Sequence, residues 1–209
     1  MIVAICAGGP IREVAFSLKP DKWIGVDRGA LYLIDEAIIP DAIVGDFDSV
    51  TAEEFARISK AVAHIERFQA EKDETDTDLA LVKALDYAPI EIWLTGVTGG
   101  RLDHYEAVLR SVYTLQQEHP EVTLKLVNPY NEIQFLQPGK HVLTKGVYSY
   151  ISFFAYGQTL TNVTLRGVKY ETTNEVIEQG TTRFTSNEIL CDGSISFDGG
   201  ICLTIKSRD

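Results

Sequence analysis

The chain has 209 residues, 45% of them hydrophobic and 23% charged. That is enough apolar material for one large or two small folded domains, and it argues against wholesale disorder. The formal net charge of −11 argues against a general nucleic-acid binder, which needs many Lys/Arg–phosphate contacts. A nucleotide whose phosphates are neutralised locally by a metal ion and an arginine stays open. No apolar run has the length of a membrane span, and the opening residues 1–7 lack the basic segment of a secretory signal. The expectation is a cytoplasmic protein with neither membrane nor nucleic acid as partner. Cys6, Cys191 and Cys202 are odd in number and widely spaced, which predicts free thiols.

In chain order, residues 2–7 read as a buried strand ended by Gly8-Gly9. Residues 23–26 are a second strand, with Asp27-Arg28-Gly29-Ala30 at its carboxyl end. A helix follows over 31–37, and 41–44 form a third strand that delivers residues 45–49. Thr51 and Glu54 have capping-box spacing and start a helix to about Ala63. Thr75 and Asp78 repeat that spacing ahead of Leu79, Val82 and Leu85, which share a helix face at steps of three. Residues 90–94 are a further strand opening into Gly96-Val97-Thr98-Gly99-Gly100. Leu102, Tyr105, Leu109 and Val112 mark another amphipathic helix, and 122–127 alternates as a strand does. This order predicts an α/β domain with a mainly parallel sheet between helices.

From about Asn128 the pattern changes. Residues 128–131 and 137–140 are turn-like, and no helical period follows. Strands are expected over 148–156, 160–170, 182–185, 193–197 and 201–206, punctuated by glycines, as in a β-sandwich or barrel. The expected domains are 1–129 and 130–209.

Three acidic clusters fall where an apolar run or a loop gives way to a helical pattern. They are Gly-Asp-Phe-Asp-Ser at 45–49, Asp-Glu-Thr-Asp-Thr-Asp at 73–78 and Gly-Gly-Arg-Leu-Asp-His at 99–104. Such turns are where α/β folds place ligand-handling residues. Asp46 and Asp48, two apart, share a face if their segment is extended, so both can approach one hard cation such as Mg2+, with Phe47 turned inward. Helix capping explains Thr75 and Asp78, but the crowding of acids there exceeds what a cap needs, which favours Asp73 and Asp76 as functional. Gly96, Gly99 and Gly100 permit close backbone approach to a ligand, and Arg101 offers a fork for phosphate. Asp103 can join a metal shell, bind a substrate hydroxyl or pair with Arg101. The histidines form no zinc-ligand pattern. The combination points to metal-assisted phosphoryl chemistry.

On these three motifs, in this order, the sequence resembles the thiamine pyrophosphokinases of bacteria. Asp27 with Gly29-Ala30 looks like that family's earlier acidic-glycine turn, while Thr185-Ser186-Asn187 and residues 203–207 look like its closing strands. The resemblance implies an α/β domain that binds ATP, a C-terminal β-sandwich that binds thiamine, and a homodimer with each thiamine site shared between subunits. It implies Mg2+-dependent transfer of pyrophosphate from ATP to the thiamine hydroxyl, releasing AMP. Matched by position, Asp46, Asp48 and Asp76 would serve metal and phosphates, Asp103 would be the fourth acidic group, and Arg101 a phosphate contact beside Gly99 and Gly100. Asp27, Gly29 and Thr75 would support ATP binding; Lys72, Ser186 and Asn187 would face thiamine. Lys72 stands where eukaryotic members carry a Gln, and Ile201 falls near their thiamine-facing Trp. Two other readings of the acidic set are a Mg2+-dependent nucleotide phosphohydrolase and a non-catalytic thiamine or nucleotide sensor.

Overall fold

The apolar runs that open the chain form β1 (Ile2–Cys6), β2 (Lys22–Val26) and β3 (Ala42–Gly45). Each is buried through nearly its whole length, as strands covered on both faces must be. The computed structural model describes residues 1–48, 50–62, 65–67 and 74–209, and divides into two units, Met1–Pro129 and Tyr130–Asp209.

In the first unit β4 (Ile65–Arg67), β5 (Glu91–Thr95) and β6 (Thr123–Val127) complete a sheet of order β4-β3-β2-β1-β5-β6. All its neighbouring pairs run parallel. Helices α1 (Arg28–Asp35), α2 (Ala52–Ala61), α3 (Asp76–Leu85) and α4 (Leu102–Glu118) connect the strands. The expected capping boxes form at Thr51/Glu54 and Thr75/Asp78. The buried face differs from the expected one on α3 and shares Leu109 and Val112 with it on α4. On α3 they are Ala80, Leu81 and Ala84, with Val82 61% exposed; on α4 they are Val108, Leu109, Val112 and Gln116, with Leu102 80% exposed. A helix of 3.6 residues per turn drifts away from the α3 face counted in threes, and the small side chains of Ala80 and Ala84 let α3 lie close on the sheet.

The second unit is all β among its described residues. Strands β7 (Asn131–Leu136), β8 (Gly139–Leu143), β9 (Tyr150–Val168), β10 (Thr172–Ile177), β11 (Asn187–Phe197) and β12 (Gly199–Ser207) run in the order β7-β12-β9-β11-β8, with β10 also on β9. The two strands expected over 148–170 are one long β9, which passes through Gly157. Its first half pairs β12 (Phe154 opposite Leu203) and its second half pairs β10 (Leu165 opposite Thr172). Residues 182–185 are a turn, not a strand: Thr185 N–H bonds Thr182 O, and buried Phe184 anchors it by accepting from Phe153 N–H. No strand is expected over β7 or β8: β7 starts at the end of the turn-like stretch 128–131, and β8 begins inside 137–140, where only Gln137 and Pro138 separate the two strands. Phe153, Leu160, Leu165, Ile177, Ile195 and Phe197 belong to one core drawn from both halves of β9.

Candidate active site

The first sheet reverses direction between β1 and β5: from central β1 the chain moves out through β2, β3 and β4, then returns to β5 on the other side. Loops leaving such neighbours diverge and open a crevice at the carboxyl edge. Here the loops after β1 and β5 are laced together by Ala7 N–H to Thr95 O and Gly9 N–H to Gly96 O, both 2.9 Å. A Cβ on Gly9 would stand 2.2 Å from Gly96 O, and one on Gly96 2.3 Å from Ala7 O, so only glycine permits this approach. The crevice is a cavity of about 670 Å3. Its floor is glycine backbone, and Asp27, Asp46, Asp48 and Asp76 face it from the turns after β2 and β3 and from the start of α3.

Asp27, Asp46 and Asp76 each place a ligand oxygen within 4.8 Å of the others. Asp27, at φ 46° and ψ −119°, accepts a 3.1 Å bond from Phe47 N–H on Oδ1. Phe47 lies inward as expected, edge-on to Phe55 at 5.0 Å, but the segment is not extended, since Phe47 has φ +64°. Asp46 Oδ1 accepts from Asp48 N–H at 2.9 Å, which turns Asp48 out to solvent at the cavity rim. Asp48 therefore borders the cluster without joining its three close oxygens. Burial, then the neighbouring Asp76, pushes the Asp27 carboxyl up to about 7, and burial with the charges of Asp46 and Asp48 raises Asp76. Hard oxygen donors that repel one another fit a small divalent cation, which reverses that cost, so the residues present suit Mg2+.

Thr75 caps α3: its hydroxyl accepts from Asp78 N–H (3.2 Å) and Asp78 accepts from Thr75 N–H (2.9 Å). Thr75 also lines the cavity, whereas the side-chain role shown for Asp78 is the cap. Arg101 and Gly100 also line the cavity. Asp103 is not gathered with the other acids; it pairs with Arg101, Nε to Oδ1 at 3.1 Å and Nη2 to Oδ2 at 2.5 Å. That guanidinium holds the Asp103 carboxyl down to about 2. Gly29 serves packing: a Cβ there would meet Cys6 O at 2.0 Å, so glycine lets α1 start against the end of β1. Ser49, Lys72 and Asp73 lie outside the described residues. Sequence reasoning took Asp27 as an ATP contact and Gly8-Gly9 as a strand end. The signal for their place in the cavity is their position at the carboxyl ends of β2 and β1, neighbours in one parallel sheet.

Family models describe the same two-part order. The model "Thiamin pyrophosphokinase, catalytic domain" matches residues 17–124, and "Thiamin pyrophosphokinase, vitamin B1 binding domain" matches 140–202. The thiamine pyrophosphokinase of Bacillus subtilis (strain 168) is 38% identical over 213 residues, 99% of each chain. The chain belongs to the thiamin pyrophosphokinase family. Crystal structures of the family's enzymes from Bacillus subtilis (36% identity, TM-score 0.92, 100% of each chain) and Geobacillus thermodenitrificans (33%, TM-score 0.91, covering 100% of this chain and 98% of that one) share its fold. The yeast thiamin pyrophosphokinase, at 16% identity and TM-score 0.80, shows that the fold outlasts most of the sequence.

The match to the family's vitamin B1 binding domain includes Ser186 and Asn187, in the second unit. Asn187 is buried, and its amide is engaged twice by one backbone residue: Oδ1 accepts from Tyr170 N–H at 2.9 Å and Nδ2 donates to Tyr170 O at 3.0 Å. Ser186 is exposed at φ +56°, a left-handed conformation pinned by its N–H bond to the hydroxyl of buried Ser152 at 2.9 Å. Asn187 thus shapes the turn, while the Ser186 hydroxyl is presented outward.

Proposed function

We propose that the cavity at the β1/β5 crevice is where this thiamine pyrophosphokinase holds ATP and Mg2+ for transfer of pyrophosphate to thiamine. The observation that carries the reading is the approach of Asp27, Asp46 and Asp76 within 4.8 Å in a cavity also lined by Gly96, Gly100 and Arg101. Asp46 and Asp76, with Asp27 beside them, would hold the metal, and Asp48 would meet it or the phosphates from the rim. Bound there, Mg2+ would neutralise phosphate charge and fix the triphosphate.

The remaining work belongs to the chain. Backbone N–H groups of 99–101 and the Arg101 fork receive phosphate oxygens, and Thr75 holds the start of α3 so that Asp76 points inward. The thiamine hydroxyl oxygen bonds to the β-phosphorus as the bridge to the α-phosphorus breaks. AMP leaves, and the hydroxyl proton is released. Such a transfer needs in-line placement and charge neutralisation more than a strong base. That suits Asp103, whose low proton affinity favours a task other than base: holding the guanidinium of Arg101.

Lys72, Ser186 and Asn187 remain the thiamine-side residues of this reading, Asn187 through the turn that presents Ser186. The grouping of strands around one core supports a sandwich for the second unit. The reading includes a homodimer with thiamine shared between subunits, and a cytoplasmic enzyme. No helix among the described residues is long and apolar enough to cross a membrane.

The test is to incubate the protein with ATP, Mg2+ and thiamine and separate the products. AMP and thiamine diphosphate should form together, and only when thiamine is present. Phosphate release indifferent to thiamine would instead mark a phosphohydrolase, and binding without turnover a sensor. Asp46→Asn should lose on the order of a hundredfold or more in turnover with the fold retained.

A further inference from the structure

Glu13 lies outside every motif read from the sequence, at the end of the short 3-10 turn Ile11–Glu13. Its side chain is only 16% exposed, and a carboxylate so covered must find donors. Thr98 Oγ1 donates to Glu13 Oε2 at 3.1 Å, and Asn128 Nδ2 donates to the same oxygen at 3.0 Å. Asn128 Nδ2 also donates to Thr98 Oγ1 at 2.9 Å, which closes a triangle. Arg12 Nε stands 3.6 Å away but is 79% exposed, so solvent screens it and the triangle does the holding. At the end of β5, the fully buried Thr95 hydroxyl accepts from Ala15 N–H at 2.7 Å and donates to Glu13 O at 3.4 Å.

The same carboxyl group supports the next residues of the loop. Gly99 has φ +74°, and a Cβ there would stand 2.6 Å from Glu13 Cδ. The backbone of Gly99, which leads into Gly100 and Arg101, thus rests directly on Glu13 while Thr98 is bonded to it. Small displacements of a phosphate-receiving loop lower kcat/KM steeply, because misaligned donors no longer hold the triphosphate in place.

We propose that Glu13 is a positioning residue of the reaction: through Thr98 and the Gly99 backbone it holds residues 99–101 in the shape that receives the triphosphate. The proposal rests on the reading that those residues face the phosphates of ATP. Glu13 does not line the cavity itself.

The experiment is steady-state kinetics of the full chain with each substrate varied, for Glu13→Ala, Glu13→Gln and Thr98→Val, beside Asp46→Asn. Glu13→Ala and Thr98→Val should lose about 10- to 100-fold in kcat/KM for ATP, seen mainly as a raised ATP KM, with the thiamine KM within about twofold of the parent. Glu13→Gln keeps an acceptor oxygen and the shape, so it should recover most of the loss. A role confined to stability would lower the active fraction and leave both KM values alone, and that result overturns the proposal. So does a change in the thiamine KM instead of the ATP KM. If Glu13→Ala does not fold, Thr98→Val decides by the same criteria. Full turnover by Asp46→Asn would sink the acidic-site reading itself. An inactive Asp46→Asn with parental ATP KM in the other variants sinks only the role of Glu13.

Discussion

The carboxylate of Asp27 accepts a hydrogen bond from the amide of Phe47, 20 residues later, and so ties the turn after β2 to the turn after β3. Both residues sit at positive φ, 46° and 64°. Conformations of this kind cost on the order of 1–3 kcal/mol each. Burial of Phe47 against Phe55 and the Asp27 bond offset that cost. The strain is local to the metal side of the cavity, where it aims Asp27 and Asp46 at one point.

A pH dependence follows. In the folded chain without metal, the Asp27 carboxyl titrates at about 7, against an ordinary value of 3.8. Between those values the native state keeps a proton that the unfolded state releases, so stability from this group falls as pH rises through the window. Below it both states are protonated and the difference vanishes. Mg2+ needs the ionised carboxylates, so it should raise the melting temperature more at about pH 8 than at about pH 5. Melting curves in EDTA and in Mg2+ at the two pH values check this, with Asp27→Asn as the control that flattens the difference. Equal shifts at both would show that Asp27 does not carry it.

Asp76 and Asp78 stand two residues apart on α3 and separate capping from chemistry. Asp78→Ala breaks the capping box and should cost about 1 kcal/mol of stability, with turnover close to the parent. Asp76→Ala removes a carboxylate from the three-acid cluster and should abolish turnover. It should also raise the melting temperature of the metal-free protein, because it removes a repelling charge. Activity assays paired with thermal melts check both. An inactive Asp78→Ala with normal stability would move Asp78 into the site.

Much of the first unit was legible because parallel strands buried on both faces are written as short apolar runs, and because Thr51 and Thr75 carry their caps in plain sequence. The acidic residues were legible by type and place, since they follow those runs. What local pattern could not carry was depth and pairing. Asp27 belongs with Asp46 and Asp76 only because β2 and β3 are neighbours and α3 begins beneath them. Glu13 reads as an ordinary surface acid until Thr98 and Asn128, 85 and 115 residues away, converge on it. In the second unit, β7 and β8 were hidden by Pro138 and Gly139, and the continuity of β9 by Gly157, since glycine occurs inside a strand as well as at its end.

Arg101 and Asp103 are paired fork to carboxylate, yet both are well exposed, so the pair adds little to stability and can yield to phosphate. Arg101→Lys keeps the charge and loses the fork; the ATP KM should rise on the order of tenfold with an unchanged melting temperature. Asp103→Asn should raise the same KM by releasing the guanidinium. It should leave the pH–rate profile in place, because a carboxyl held down to about 2 is ionised throughout the working range. A shift of the acid limb in Asp103→Asn would instead make Asp103 the proton acceptor.

The three cysteines offer a separate reading of each unit. Burial pushes the Cys6 thiol up to about 12 and the Cys202 thiol higher still, while Cys191 is exposed. Thiolate is the reacting form, so a thiol reagent should label Cys191 at once in the native protein and the other two only through opening or in denaturant. Rapid native labelling of more than one thiol would contradict the burial. Cys6 lies in β1, its carbonyl against Gly29 beside the cavity, whereas Cys202 lies in the core of the second unit. ATP with Mg2+ bound in the first unit should therefore slow the labelling of Cys6 by the factor that ligand binding stabilises that unit. Cys202 should keep its rate if the second unit opens on its own. Equal protection of both would mean that the two units open as one.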